Sequence, residues 1–190
     1  MARSGAWARF DDLRRGAALL CPPPHRVLAA TRTDEVAGVL QEVHDATAAG
    51  CWAYGYVSYE AASGLDPRLP GGAQPGQPPL VWFGLCDEPA RTDPVAAAGG
   101  PAVELSPWRP DRTAAEHAHA VATVREHIAA GETYQCNLTD RLRASTTGDA
   151  EALYRRLALA QRGAHNAYLD LGRFAVASAS PELFFEWAGD

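Results

Sequence analysis

The sequence predicts an α+β protein built largely from antiparallel sheet with packed helices. Three observations lead there. Two runs, Cys51–Tyr59 and Leu80–Leu85, are aromatic, β-branched and short, and turn residues bound them. The helical stretches do not alternate strictly with strands, as a parallel sheet would demand. Two strand-like segments meet at Gly172-Arg173 with the spacing of a hairpin.

Taken in order, Ala8 to Leu20 reads as a strand and turn that stops at Cys21-Pro22-Pro23-Pro24, where neither a helix nor a central strand continues. Thr33 or Asp34 caps a helix running to about Ala49, with Val36, Leu40 and Val43 on one face and Gly50 as its stop. In the strand Cys51–Tyr59, Gly55 among bulky neighbours predicts a close backbone approach. Pro67–Pro79 is a Pro/Gly loop. Asp87–Thr113 is rich in Pro, Ala, Gly and charge and is the one linker, so it separates two parts. The helix from Ala114 to Ala130 carries His117, Val121, Val124 and Ile128 along a stripe and ends at Gly131. A strand over Thr133–Thr139 follows. A helix from Ala150 to Arg162 comes next, then strands over Ala167–Leu171 and Phe174–Glu186.

Composition narrows the function. The 190 residues are 47% hydrophobic and 21% charged, ordinary globular usage. A net charge of -6 gives no electrostatic footprint for nucleic acid. No stretch approaches the ~20 apolar residues of a membrane helix, and Met1–Phe10 lacks the apolar run of a secretory leader. The expectation is a cytoplasmic protein without nucleic-acid or membrane partners. All 17 basic residues are Arg, so the chain supplies no lysine nucleophile or phosphate clamp. Cys21, Cys51, Cys86 and Cys136 are widely spaced, which predicts reduced and mostly buried thiols.

Two segments hold polar groups in apolar surroundings. In Thr133–Thr139 alternation would put Thr133, Gln135, Asn137 and Thr139 on one face and Tyr134, Cys136 and Leu138 on the other. That face is either the wet side of a sheet or the lining of a ligand site. Ser178-Ala179-Ser180-Pro181-Glu182 places a carboxylate directly after a proline that cannot join a ladder. Beside Leu183, Phe184 and Phe185 the charged form would be disfavoured, as suits a general acid; alternatively, Glu182 points to solvent.

The stretch from His117 through Thr139 ends in A-A-G-E-T-Y-Q-C-N-L-T and resembles the opening of the chorismate-binding domain of chorismate-utilising enzymes. Ser180-Pro181-Glu182-x-Phe184 is similar to the same family's S-P-E-x-F signature. Y-Q-x-N-L is most like the aminodeoxychorismate synthase component I subfamily, which aminates chorismate for 4-aminobenzoate and folate synthesis. Ala8–Leu13 and Gly55–Ala61 resemble that subfamily's N-terminal domain more loosely.

The resemblance implies an incomplete chorismate-utilising fold, with residues 1–105 as the N-terminal domain and 106–190 as the start of the chorismate-binding domain. It implies Glu182 as the catalytic acid/base at the departing 4-hydroxyl, with Gln135, Asn137 and Ser180 supporting the substrate site. It further implies a downstream lysine nucleophile, a Mg²⁺ ion held by ligands outside this segment, and ammonia from a glutamine amidotransferase subunit or fused domain. On that reading residues 1–190 alone are inactive. Anthranilate, isochorismate or salicylate synthase chemistry on the same scaffold is one alternative, and a non-catalytic ligand-binding or regulatory module is another. Leu19-Leu20-Cys21-Pro22 and Asn166-Ala167-Tyr168 match segments that bind tryptophan in some members, with Cys and Pro replacing the polar residues, so no tryptophan site is assigned.

Overall fold

The structure is a computed structural model and describes residues 5–96 and 103–187. Every strand pairing among them is antiparallel. The chain forms two compact units, residues 1–100 with 150–190, and residues 101–149.

The larger unit opens with a hairpin of β1 (Trp7–Asp12) and β2 (Ala17–Cys21). The triple proline ends β2 as expected. A strand not anticipated from the sequence, β3 (Arg26–Ala30), follows. Its five residues are too short and too near the prolines to give a periodic signal. After a 3-10 turn at Thr33–Glu35 comes α1 (Val36–Ala48), then β4 (Trp52–Val57), the short helix α2 (Ala62–Leu65) and β5 (Val81–Cys86). The stretch read as linker contributes β6 (Ala90–Thr92) to the first sheet. Beyond the smaller unit the chain returns with α4 (Ala150–Gln161), β11 (His165–Asp170) and β12 (Ala175–Ser180).

These strands make a five-stranded sheet in the order β12-β11-β1-β2-β6 and a three-stranded sheet in the order β3-β5-β4. Alternation gives the large sheet two working faces. On one, Trp7 and Tyr168 pack with Tyr154 and Ala158 of α4 and with Val95. On the other, Ala8, Cys21 and Leu169 meet Tyr54, Trp82 and Cys86 of the three-stranded sheet. The far side of that sheet holds α1 through Ala30, Val36, Ala61, Leu80 and Val81. The layers are therefore α4, sheet, sheet, α1. Because β5 is covered on both faces, its sequence is apolar throughout rather than alternating.

Gly55 shows why the inter-strand approach needs glycine. A Cβ there would lie 2.0 Å from the Trp82 carbonyl oxygen and 2.8 Å from Phe83 Cα. Gly84 serves the other face, where a Cβ would come within 3.0 Å of the Tyr54 ring and 2.9 Å of Pro24.

A buried polar knot ties the first strand to distant parts of the chain. Asp11 is 1% exposed. Its carboxylate accepts from Arg9 Nε at 2.8 Å and Nη2 at 2.7 Å, from Tyr154 Oη at 2.5 Å and from the Val95 N–H at 3.0 Å. Asn166 Nδ2 donates to the Asp11 and Gly163 carbonyls. Burial works to raise the Asp11 pKa, but the Arg9, Tyr154 and Val95 hydrogen bonds outweigh it and hold the carboxyl below its ordinary value. Burial and the bond to Asp11 together push the Tyr154 hydroxyl up.

In the smaller unit α3 (Ala114–Ala129) is opened by a reciprocal capping box. Thr113 Oγ1 accepts from the Glu116 N–H while Glu116 Oε2 accepts from the Thr113 N–H. Two small ladders complete it: β7 (Glu104–Leu105) with β10 (Thr146–Thr147), and β8 (Arg109–Pro110) with β9 (Leu142–Arg143). The apolar stripe of α3 contains no buried residue. Residues 133–139, expected as a strand, form none. Short local bonds, Thr133 Oγ1 to the Gln135 carbonyl at 2.8 Å and Thr139 Oγ1 to the Asn137 carbonyl at 3.3 Å, occupy backbone acceptors there instead of a ladder.

Candidate functional site

The strand expected over Phe174–Glu186 is shorter in the structure. It begins at Ala175, ends at Ser180, and releases the chain at Pro181, which has no N–H for a ladder. The Ser180 hydroxyl closes the exit turn. It donates to the Glu182 carbonyl at 2.8 Å and accepts from the Glu182 N–H at 3.4 Å. Glu182 leaves the sheet here. Leu183, Phe184 and Phe185 do not enclose it, for they are exposed themselves, Phe184 to 94%. The apolar enclosure expected around this carboxylate is thus not formed by its sequence neighbours.

What the structure does build is a groove of about 660 Å³ over the open end of the large sheet. Ser178, Ser180 and Glu182 line one end of it. Phe10, Leu19 and Ala167 lie on its floor, and Arg15 and Arg91 stand at the other end. Register explains the grouping. Ser180 pairs with His165, Ser178 with Ala167, Ala167 with Phe10, and Phe10 with Leu19, so these side chains share a face. Hydroxyls and a carboxylate at one end, aliphatic and aromatic floor, and guanidinium groups opposite suit a small anion with an apolar body and a hydrogen-bonding substituent.

Of the four residues singled out from sequence, the structure brings Ser180 and Glu182 together. Gln135 and Asn137 lie in the smaller unit, both exposed, with Gln135 Nε2 donating to Asn137 Oδ1 at 3.4 Å. Sequence reasoning missed His165, Phe10, Asp12 and Arg91 as groove residues. Each sits in an unremarkable local context, and only strand pairing juxtaposes them. Among the described residues no group of three or more His, Cys, Asp or Glu side chains is arranged to hold a metal ion. Of the groove's three acids, Asp11 is engaged by Arg9, Tyr154 and the Val95 N–H and Asp12 lies 3.7 Å from Arg15 Nε, so with Glu182 they form no cluster that would hold a cation. No described helix is long and apolar enough to cross a membrane.

Comparison with known proteins agrees with the two motifs that bracket this region. The family model for chorismate binding enzymes matches residues 97–190, a span that includes Gly131–Thr139 and Ser180–Phe184. Over those residues the chain is similar to the chorismate binding enzymes. Aminodeoxychorismate synthase component 1 of Klebsiella aerogenes is 33% identical over 107 residues, 56% of this chain and 22% of the relative. Aminodeoxychorismate synthase of Streptomyces griseus is 30% identical over 154 residues, 81% of this chain and 18% of the relative. Anthranilate synthase component 1 of Streptomyces coelicolor is 34% identical over 104 residues, 50% of this chain and 20% of the relative. The chain therefore spans about a fifth of the length of the curated relatives it matches. By name these relatives are of two kinds, aminodeoxychorismate synthases and anthranilate synthases.

Proposed function

We propose that this chain is part of a chorismate aminase of the aminodeoxychorismate synthase component I type. Such an enzyme converts chorismate and ammonia to 4-amino-4-deoxychorismate on the way to 4-aminobenzoate and folate. The observation that carries the reading is Glu182, which lies inside the span matched by the chorismate binding family, follows Ser180-Pro181 and lines the groove. Glu182 protonates the departing 4-hydroxyl as general acid, and Ser180 fixes the turn that presents it. Gln135 and Asn137 support the substrate site as hydrogen-bonding groups. Aminodeoxychorismate synthase relatives at 30–33% identity favour amination at C4. The anthranilate synthase relative at 34% keeps the sister reaction as the second reading.

A magnesium ion and a glutamine amidotransferase that delivers ammonia belong to this proposal for the longer protein, which we place in the cytoplasm. The 190 residues contain no lysine and, by this reading, form no product by themselves. The test compares the longer protein carrying this chain with its Glu182→Gln variant, supplying chorismate, ammonia and Mg²⁺. The expected result is 4-amino-4-deoxychorismate as product and a kcat lowered about 100-fold or more, with KM little changed. A kcat within twofold of the parent would remove Glu182 from the chemistry. Anthranilate as the product would move the chain to the sister reaction.

A further inference from the structure

The end of the groove opposite Glu182 has no part in the reaction above. Its geometry follows from register alone. Arg91 pairs with Leu19, Leu19 with Phe10, Phe10 with Ala167, and Ala167 with Ser178. One row of side chains thus crosses all five strands on a single face. It is apolar in the middle, cationic at the β6 end, and hydroxylic at the β12 end, where Ser180 and Glu182 adjoin Ser178.

Arg91 lines the groove and is exposed. None of the ion pairs among the described residues engages it. Arg15, the other cation there, is already held near the protein's own charge, its Nε 3.7 Å from Asp12 Oδ2. A guanidinium without a protein carboxylate, at the rim of an apolar floor, is the group that takes a ligand carboxylate through two parallel hydrogen bonds.

The span limits the ligand. Four inter-strand steps of about 4.8 Å separate the Arg91 and Ser178 Cα atoms by about 19 Å. Side chains on one face stand roughly perpendicular to the sheet, so the gap is set by how far Arg91 leans over the floor; leaning toward Ser178, it leaves room for a single ring with its polar substituents.

We propose that Arg91 is the carboxylate anchor of this groove. It holds the acid group of a ring carboxylate whose opposite substituent reaches Ser178, Ser180 and Glu182, while the ring lies on Ala167, Phe10 and Leu19. The identity of the hydroxyl end rests on the function proposed above; the anion site does not.

Calorimetric titration of this chain tests the anchor with 4-hydroxybenzoate as the ring acid and 4-hydroxybenzyl alcohol as its uncharged counterpart. Arg91→Ala is expected to weaken the acid about tenfold or more and to leave the alcohol unchanged. Arg91→Lys is expected to recover part of the loss, because an ammonium cannot form the paired bonds. An unchanged urea midpoint for both variants separates a binding effect from misfolding. Equal affinity of parent and Arg91→Ala for the acid, or no binding by the parent, would overturn the anchor. Loss of binding on Arg91→Ala combined with a Glu182→Gln enzyme of full activity would retain the anchor and remove the proposed chemistry. The opposite pattern would retain the chemistry and remove the anchor.

Discussion

Replacing Asp11 by Asn tests the buried knot that joins β1 to α4, β11 and the segment after β6. The substitution keeps the size of the side chain and removes its charge. Arg9, whose side chain is 11% exposed, then loses the partner of two bonds at 2.7 and 2.8 Å. Tyr154 and the Val95 N–H lose a charged acceptor. Breaking one side of a buried ion pair costs about 3–5 kcal/mol, so the lower end, about 3 kcal/mol, is expected here because Asn still accepts one bond. Against a total stability of about 5–15 kcal/mol this is a large fraction. With a urea slope of about 2 kcal/mol/M, the midpoint should fall by about 1.5 M at pH 7.

Tyr154→Phe alone should cost about 1.5–3 kcal/mol, and the double variant should cost less than the sum by about 1 kcal/mol or more, since both act on one carboxylate. Acid should erase the difference between parent and Asp11→Asn. The folded carboxyl is held below its ordinary 3.8. Its contribution is therefore complete above that value and is lost as pH falls through the lower folded one. Equilibrium urea melts of the four proteins at several pH values decide the matter. An Asp11→Asn midpoint within about 0.3 M of the parent, or strict additivity in the cycle, would refute the knot as a stabilising unit.

Gly55→Ala should lower stability by about 3 kcal/mol or more, because the new Cβ meets backbone at Trp82 and Phe83 that the β4–β5 ladder prevents from moving; a urea melt within about 1 kcal/mol of the parent would count against that approach. Thiol labelling at pH 8 should separate the cysteines. Cys136 is exposed and should react at once, whereas Cys21 and Cys86 are 3% and 2% exposed and should react only on unfolding. Burial, followed by the neighbouring Cys86, pushes the Cys21 thiol up to about 12. Four thiols labelled at similar rates would contradict the packing of the two sheets against each other.

Helices α1, α3 and α4 were legible to within a few residues, because caps, period and terminal glycines are local signals. So were β4 and β5, where apolar aromatic runs meet turn residues. Gly55 was legible as a close approach for the same reason. Two strands were misread for a shared cause. Alternation over Thr133–Thr139 and the apolar run after Pro181 both fit a strand, but a strand forms only where a partner edge accepts its hydrogen bonds. None does so in the described structure, and local serine and threonine bonds take over. Two motifs, Gly131–Thr139 and Ser180–Phe184, carried the family by residue identity rather than by folding.

Only the tertiary structure decided the rest. Asp11 and Asp12 are adjacent in sequence, yet one is sealed beneath α4 and the other faces the groove, because successive residues of a strand point to opposite sides. Besides Arg9, the partners of the Asp11 carboxylate stand 84 and 143 residues away, and Asn166 reaches its carbonyl across 155. The row from Arg91 to Ser178 likewise exists only through four pairings, two within hairpins and two between distant segments. The sequence by itself determined the three long helices, the aromatic strands β4 and β5, and that Glu182 follows a proline that cannot join a ladder. Register and sheet order decided what Glu182 faces, since side-chain neighbours across a sheet are set by pairing between strands and leave no local trace along the chain.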